Sequence, residues 1–341
     1  MKIGYISLKR FERQNQGQGI SRYVTMLYKH LIKIAKEDTI DKLLYGSLPI
    51  IGEGLSLELK SFFSNYERYN IIHNPIGFIP IHRICKVRYI VTVHDTKQIF
   101  SNSIKSKIWE HLVVNRGLEY TLNKTDFIIA NSTQTREEVI KLGLSKNKIA
   151  VANLGLDTRF TRKIINKSNK KANIFTIGYL GGFGPNKNIK FILQAAELIK
   201  DKSIAFKLYG NKAQWYEKPD EYAQKNVSFM GFAPEEKIID IYDSFDVFVF
   251  PSLYEGFGFP ILEAQARGLP VIIYKYGKIP KEVRKYCLEA ESPEHMAQII
   301  EQLKENGYNE KERKKAMEYA RSFTWEKTAK KTLEVYKKVL E

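Results

Sequence analysis

Short runs of β-branched and aromatic residues alternate with helical stretches along nearly all of this chain, and few folds accommodate that alternation. Lys2 to Ser7 reads as a strand, and Ile20 to Lys36 follows with Ile20, Val24, Leu27, Leu31 and Ile34 on one stripe of a helix. Leu43 to Gly46, Asn70 to Asn74, Arg88 to His94, Asp126 to Ala130 and Ile149 to Leu154 read as further strands. From Arg162 to Asn173 the chain turns Lys- and Asn-rich and loses its apolar periodicity, which marks a linker. The alternation then restarts, with strands at Ile174 to Leu180, Ala205 to Gly210, Val227 to Phe232, Val247 to Pro251 and Val271 to Lys275, and helices at Ile189 to Ile199 and Glu235 to Asp243. Strands separated by helices pair in parallel, because each helix carries the chain back to the end of the sheet from which it left. No repeat of solenoid period occurs. The expected class is α/β, in two similar doubly wound halves whose chemistry sits on the loops that follow strands.

Composition narrows the partners. A chain of 341 residues suffices for two domains, and 43% hydrophobic with 27% charged residues excludes a disordered or fibrous chain. No apolar run is long enough to span a bilayer, and the N-terminal residues show no secretory apolar region. The two cysteines, Cys85 and Cys287, lie far apart with no metal-type spacing, so reduced thiols and a cytosolic location are expected. The net charge of +17 suits nucleic acid, an anionic membrane surface or phosphate-bearing substrates, and equally a solvated basic face.

The segment PSLYEGFGFPILEAQARGLPVI, residues 251 to 272, carries the most chemistry. An apolar strand ends at Pro251, and Gly256 and Gly258 allow backbone conformations closed to other residues. Pro260 suits the first turn of the next helix, and Gly268 with Pro270 ends it. Backbone N–H groups near Phe259 to Leu262 are then expected to be free at a helix N-terminus, where phosphate binds well. Glu255 and Glu263 frame this loop with seven residues between them. Carboxylates repel phosphate, so they face neutral hydroxyls such as those of a sugar and a ribose. Alternatively, Glu255 caps the helix and Glu263, read as lying in the first turn, complements its dipole.

This segment resembles the signature of the retaining glycosyltransferases of family 4 (glycosyl transferases group 1), whose hallmark is the same pair of glutamates. The resemblance implies the GT-B fold: two doubly wound Rossmann-like parallel-sheet domains facing a central cleft. The N-terminal, acceptor-side domain would be residues 1–160 and the linker 161–173. The nucleotide-sugar domain would be 174–321, and a C-terminal helix, 322–341, would cross back to the first domain. By the same resemblance Glu255 contacts the transferred sugar and Glu263 the ribose, and the backbone of Gly258, Phe259, Ile261 and Leu262 meets the diphosphate. GQGISRYV, residues 17 to 24, resembles the family's first loop, where Gly17 and Gly19 approach the diphosphate. VTVHD places His94 near donor sugar and phosphate, and NLGLDTRF resembles the turn before the linker. GYLGGFGPNKNIKFILQAA makes Lys187 the cation for the diphosphate, and backbone at Gly231 and Phe232 touches the base. One departure stands out: many relatives carry an Arg shortly before that Lys, and here Tyr179 to Gly184 holds none.

The implied activity is transfer of a sugar from a UDP- or GDP-sugar to a glycan, lipid-linked or other acceptor with retention of configuration. No cofactor or metal is expected, since the chain has no Asp-x-Asp pair and Lys187 with helix amides would meet the charge on the leaving group. Peripheral contact with an anionic membrane at its inner face is a further expectation, from His82, Arg83, Lys86, Arg88, Lys105, Lys107 and Trp109. The alternatives are a GT-B protein that binds nucleotide sugar without transferring it, suggested by the absent Arg, and a basic nucleic-acid binder. Against the latter, no nucleic-acid-binding signature can be placed, so no nucleic-acid partner is expected.

Overall fold

Every strand pairing found is parallel, as helices between strands require. The structure, a computed structural model, describes residues 1–9, 11, 19–45, 65–77, 86–96, 122, 124–162, 174–210 and 225–341. These fall into two compact units, Met1–Gly155 with Thr324–Glu341, and Leu156–Phe323.

The first unit comprises β1 (Lys2–Leu8), α1 (Gly19–Ile34), β2 (Thr39–Tyr45), β3 (Ile71–Asn74), β4 (Arg88–Val93), β5 (Phe127–Ala130), α2 (Thr133–Lys141) and β6 (Ile149–Val151). Its sheet runs β2-β1-β3-β4-β5-β6, so the direction of winding reverses between β1 and β3. The second unit comprises β7 (Phe175–Leu180), α3 (Ile189–Leu198), β8 (Ile204–Tyr209), β9 (Val227–Gly231), α4 (Ile238–Asp243), β10 (Val247–Phe250), α5 (Phe259–Ala266), β11 (Val271–Tyr274), α6 (Lys281–Arg284), β12 (Leu288–Ala290), α7 (Pro293–Asn306) and α8 (Glu310–Arg321). Its order, β12-β11-β10-β7-β8-β9, reverses between β7 and β10. The central strand β10, sequence VFVF, is buried along its whole length, as a strand covered on both faces must be.

Several elements differ from the sequence reading, among them the strand expected to run to Leu154, which ends at Val151. β2 begins at Thr39 rather than Leu43, since its pairing with β1 runs from Lys2↔Thr39 to Leu8↔Tyr45 and holds Asp41 and Lys42 extended without an apolar alternation. The helix expected from Glu235 to Asp243 opens as a 3-10 turn, Glu235–Lys237, before α4. β12, three residues long, was not anticipated. The first division of the chain falls after Gly155 rather than at residue 160, because the turn Thr158–Thr161 is bound within the second unit. There Arg159 Nη2 donates to Glu235 at 2.6 Å, and the buried Arg267 donates to the carbonyls of Phe160 and Arg162.

The last helix, α9 (Trp325–Leu340), returns to the first unit and packs on α1. Thr324 caps it by accepting from Lys327 N–H, and Trp325, Thr328, Ala329, Thr332, Val335 and Tyr336 form its buried stripe. Tyr336 reaches His73 of β3: its hydroxyl lies 2.6 Å from Nδ1, while Nε2 lies 2.9 Å from Thr92 Oγ1, which in turn is 2.9 Å from the Tyr23 hydroxyl. Burial lowers the His73 pKa to about 3, so the ring is neutral and offers one donor and one acceptor to its two partners.

This ring makes the first unit acid-sensitive. The unfolded chain takes up the His73 proton as pH falls below about 6.5, while the folded chain does so only near 3. The stabilisation is complete above the unfolded pKa and is lost as pH falls below it, by about 2 kcal/mol at pH 5. In urea titrations at pH 7 and pH 5, His73→Gln should remove that part of the acid loss; an unchanged pH dependence would show that the ring already carries a proton in the folded chain.

Candidate functional site

Where the strand order of a doubly wound sheet reverses, the loops leaving the two neighbouring strands diverge to opposite faces and leave a crevice at the carboxyl ends. In the second unit β7 and β10 are those neighbours. The loop after β7 passes through a 3-10 turn, Pro185–Lys187, and Asn188 opens α3. The loop after β10 carries Glu255 and opens α5 at Gly258. Across the crevice Lys187 Nζ meets Glu255 Oε1 at 2.6 Å, with the two side chains 21% and 12% exposed. The ammonium also stands 5.3 Å from the centre of the Phe250 ring. Two residues singled out separately in the sequence thus form one half-buried ion pair.

Gly258 has φ 102°, a conformation that strains any other residue at the start of α5, and Pro260 lies in the first turn as anticipated. Gly256, by contrast, does not take a positive φ. The expectation of free amides also needs correction, because Ile261 N–H donates to the Gly258 carbonyl at 3.1 Å and Pro260 has no N–H. The Ile261 and Leu262 side chains are fully buried core. Glu263 is the fifth helical residue rather than a first-turn residue, which removes the reading of it as a dipole partner. It is 2% exposed and accepts from the Tyr242 hydroxyl at 2.8 Å. Gly231 ends β9 with φ 75°, and Phe232 beyond it is 72% exposed.

Tyr179 occupies the neighbourhood where the family pattern has an Arg. It is fully buried, stacks on Phe183 and Phe250, and donates its hydroxyl to the Gly182 carbonyl at 2.6 Å. Burial, and then the nearby Glu255 charge, push its pKa well above 10, so it stays a donor. The loop that ends in Lys187 therefore rests on an aromatic floor. The sequence reading missed Tyr179, Tyr242 and the two asparagines beside Lys187; the one visible signal was the Asn-Lys-Asn triplet itself.

In the first unit His94 follows β4. Its Nε2 lies 2.8 Å from the Pro75 carbonyl, which only accepts, so Nε2 carries the hydrogen and Nδ1 is the acceptor. The Tyr23 ring meets it edge-on at 4.7 Å, and Asn131 donates to its carbonyl. Burial lowers its pKa, partly offset by the Pro75 carbonyl and Asp95, which keeps the ring neutral near pH 7. Gly19 is the exposed first residue of α1, and Gly17 lies outside the described residues. Of the basic patch, Lys86 and Arg88 are described, and Arg88 pairs with Asp126 at 3.4 Å; His82, Arg83, Lys105, Lys107 and Trp109 lie outside them.

Residues 160–323 match the family model of glycosyl transferases group 1, and residues 44–160 match that of glycosyltransferase family 4. The chain belongs to glycosyltransferase family 4. Among curated relatives of this glycosyltransferase, the O-antigen chain mannosyltransferase B of Escherichia coli is 25% identical over 292 residues, 80% of this chain and 75% of that one. Among solved structures, sucrose-phosphate synthase from Thermosynechococcus elongatus superposes with a TM-score of 0.77 at 19% identity, covering 99% of this chain and 98% of that one. HepE from Anabaena, in complex with UDP and glucose, gives 0.71 at 16% identity, covering 99% and 100%. These likenesses establish the GT-B fold.

The glutamate loop of this glycosyltransferase is held from behind by the loop after β11. Lys278 N–H donates to the Leu253 carbonyl, and Glu255 N–H donates to the Lys278 carbonyl, both at 2.9 Å. Gly277 packs so closely that a Cβ there would stand 2.3 Å from the Ser252 carbonyl oxygen. Gly277→Ala should therefore lower stability by about 1–3 kcal/mol in urea unfolding, since backbone must move to admit the methyl group. A wild-type midpoint would mean that the two loops are not in contact.

Proposed function

We propose that this glycosyltransferase moves a hexosyl group from a UDP- or GDP-sugar to a glycan, lipid-linked or other acceptor, with retention of configuration and without a metal. The Lys187–Glu255 pair at the crevice of the second unit carries the reading. A cation there meets the charge that grows on the departing diphosphate, and a carboxylate beside it accepts hydroxyl hydrogens of the sugar. Glu263 and the Gly231–Phe232 backbone are the groups for ribose and base, and a mannosyltransferase among the relatives and a solved complex with UDP and glucose among the structural neighbours fit such a donor. Among the described residues no three His, Cys, Asp or Glu side chains gather as metal ligands.

In this reading the acceptor oxygen attacks the anomeric carbon on the face from which the nucleotide leaves. The bond from that carbon to the phosphate oxygen breaks, and the acceptor's proton passes to the departing phosphate. Lys187 stabilises the leaving diphosphate, and Glu255 orients the sugar. His94, neutral with Nδ1 as acceptor, takes a hydroxyl hydrogen.

The reading predicts that UDP or GDP, or its sugar conjugate, raises the melting temperature more than ADP does, with EDTA making no difference and mixed DNA giving no response. A response to DNA alone would sink it. Within the site, Lys187→Ala should weaken nucleoside diphosphate binding by about 1.5–3 kcal/mol, the worth of a hydrogen bond to a charged group. Glu255→Gln should abolish transfer yet tighten nucleoside diphosphate binding, because the carboxylate competes with phosphate for the same ammonium. Calorimetry showing weaker binding by Glu255→Gln would contradict that competition.

Peripheral contact with an anionic membrane from the cytosolic side is part of the same proposal and is supported by the net charge of +17. No described helix is long and apolar enough to cross a membrane. Co-sedimentation with phosphatidylserine vesicles at low salt, reversed at high salt, is the expected result; a chain that stays in the supernatant at low salt would remove this part.

A further inference from the structure

Lys187 is bracketed by two asparagines, and both reach the loop that carries Glu255. Asn188 Nδ2 donates to the Pro251 carbonyl at 3.2 Å and Asn186 Nδ2 to the Tyr254 carbonyl at 3.4 Å. The Asn186 carbonyl accepts from Leu253 N–H at 2.8 Å, the shortest of the three bonds. All three land on the residues immediately before Glu255. Asn188 also has φ 54° and ψ 45°, and among the described residues it is the only non-glycine residue with a positive φ. Glycine adopts that conformation without strain, whereas asparagine tolerates it at some cost. Conformation alone would be served better by glycine, so the asparagine amide has a second task, and the bond to Pro251 supplies it.

We propose that Asn186 and Asn188 are positioning residues that hold the Lys187 ammonium in register with Glu255 by tying the loop after β7 to the loop after β10. Lysine has a long, flexible stem, and a cation that must meet a diphosphate while a carboxylate meets the attached sugar gains from a fixed base. The two loops leave neighbouring strands toward opposite faces of the sheet, so nothing in the strand pairing itself fixes their spacing beyond β7 and β10. The asparagines provide that link from both sides of the lysine. This inference rests on the proposed role of Lys187 and Glu255 in donor binding.

The test uses the full chain and three variants. Asn188→Gly keeps the backbone conformation and deletes the bond. Asn188→Asp keeps size and conformational tolerance but turns an acceptor toward the Pro251 carbonyl, and Asn186→Ala removes the side-chain bond to the Tyr254 carbonyl while leaving the backbone bond from Leu253 N–H. Melting temperature, affinity for UDP, GDP and ADP by calorimetry, and kcat with the sugar conjugate of whichever diphosphate binds are read for each. The expected result is a loss of at least about tenfold in kcat for both Asn188 variants, a smaller loss for Asn186→Ala, and weaker diphosphate binding, with the Asn188→Gly melting temperature unchanged. Wild-type kcat and affinity in Asn188→Gly would overturn the inference, since the backbone conformation would then account for the residue. A loss of kcat matched by a fall in melting temperature would overturn it too, as a purely structural effect. A wild-type chain that binds none of the three diphosphates would overturn the functional reading and this inference with it.

Discussion

Lys187 and Glu255 are 68 residues apart and meet at 2.6 Å because β7 and β10, though far apart in sequence, are neighbours in the sheet. The chain winds outward from β7 to β9, returns to the middle and winds the other way from β10 to β12. The loops at the point of return have helices on opposite faces and so cannot close over one another. A cation from one loop and a carboxylate from the other can therefore stand at the same crevice, each largely shielded from water. Half-buried charges of this kind are tolerable because they are paired. On the proposed roles of Lys187 and Glu255, the same pairing would make each group the competitor of the other's ligand.

The two carboxylates of the signature are divided by their surroundings. Glu255 opposes an ammonium at the crevice, whereas Glu263 lies one helical turn further in and takes the hydroxyl of Tyr242. The latter is held by a neutral donor on a packed helix, an arrangement suited to reading hydroxyls at a fixed place. The buried Arg267, bidentate to Asp243 and bonded to the carbonyls of Phe160 and Arg162, fastens α5 to α4 and to the entering chain, so the helix that carries Glu263 is anchored at its far end.

Much of this was legible in the sequence because the relevant signals are local. Each strand of the second sheet except β12 showed as a short apolar run, Glu255 showed in the glycine-bearing loop after one of them, and Lys187 and His94 were picked out by the family resemblance. The boundaries of β2 were not legible, since Asp41 and Lys42 lie in a strand whose extension comes from pairing with β1 rather than from its own pattern. The bond from Ile261 N–H to Gly258 was hidden too, because a helix start can close its first turn in several ways that composition does not distinguish. Tyr179 read as one more core aromatic. That its hydroxyl shapes the glycine loop depends on a carbonyl three residues on, a matter of loop geometry rather than of residue type.

The long-range polar contacts were the least legible of all, and His73 shows why. Tyr336 is 263 residues away, and neither residue stands in a motif. A histidine on a buried strand usually reads as a satisfied core residue, and this one is, but its satisfaction comes from the last helix of the chain. A neutral imidazole has one donor and one acceptor, and here Tyr336 and Thr92 take both. An apolar residue at 73 would remove one of the hydrogen bonds that hold α9, another being from the Thr328 hydroxyl to the Asn153 carbonyl. The two bonds together favour one rotation and one height of the helix, the setting in which Trp325 packs on Tyr23. Tyr23 in turn packs on the His94 ring and bonds Thr92. The seating of the closing helix and the setting of His94 therefore share one buried network, a connection that follows from the three-dimensional pairing of β3 with β4 and from nothing visible in either segment alone.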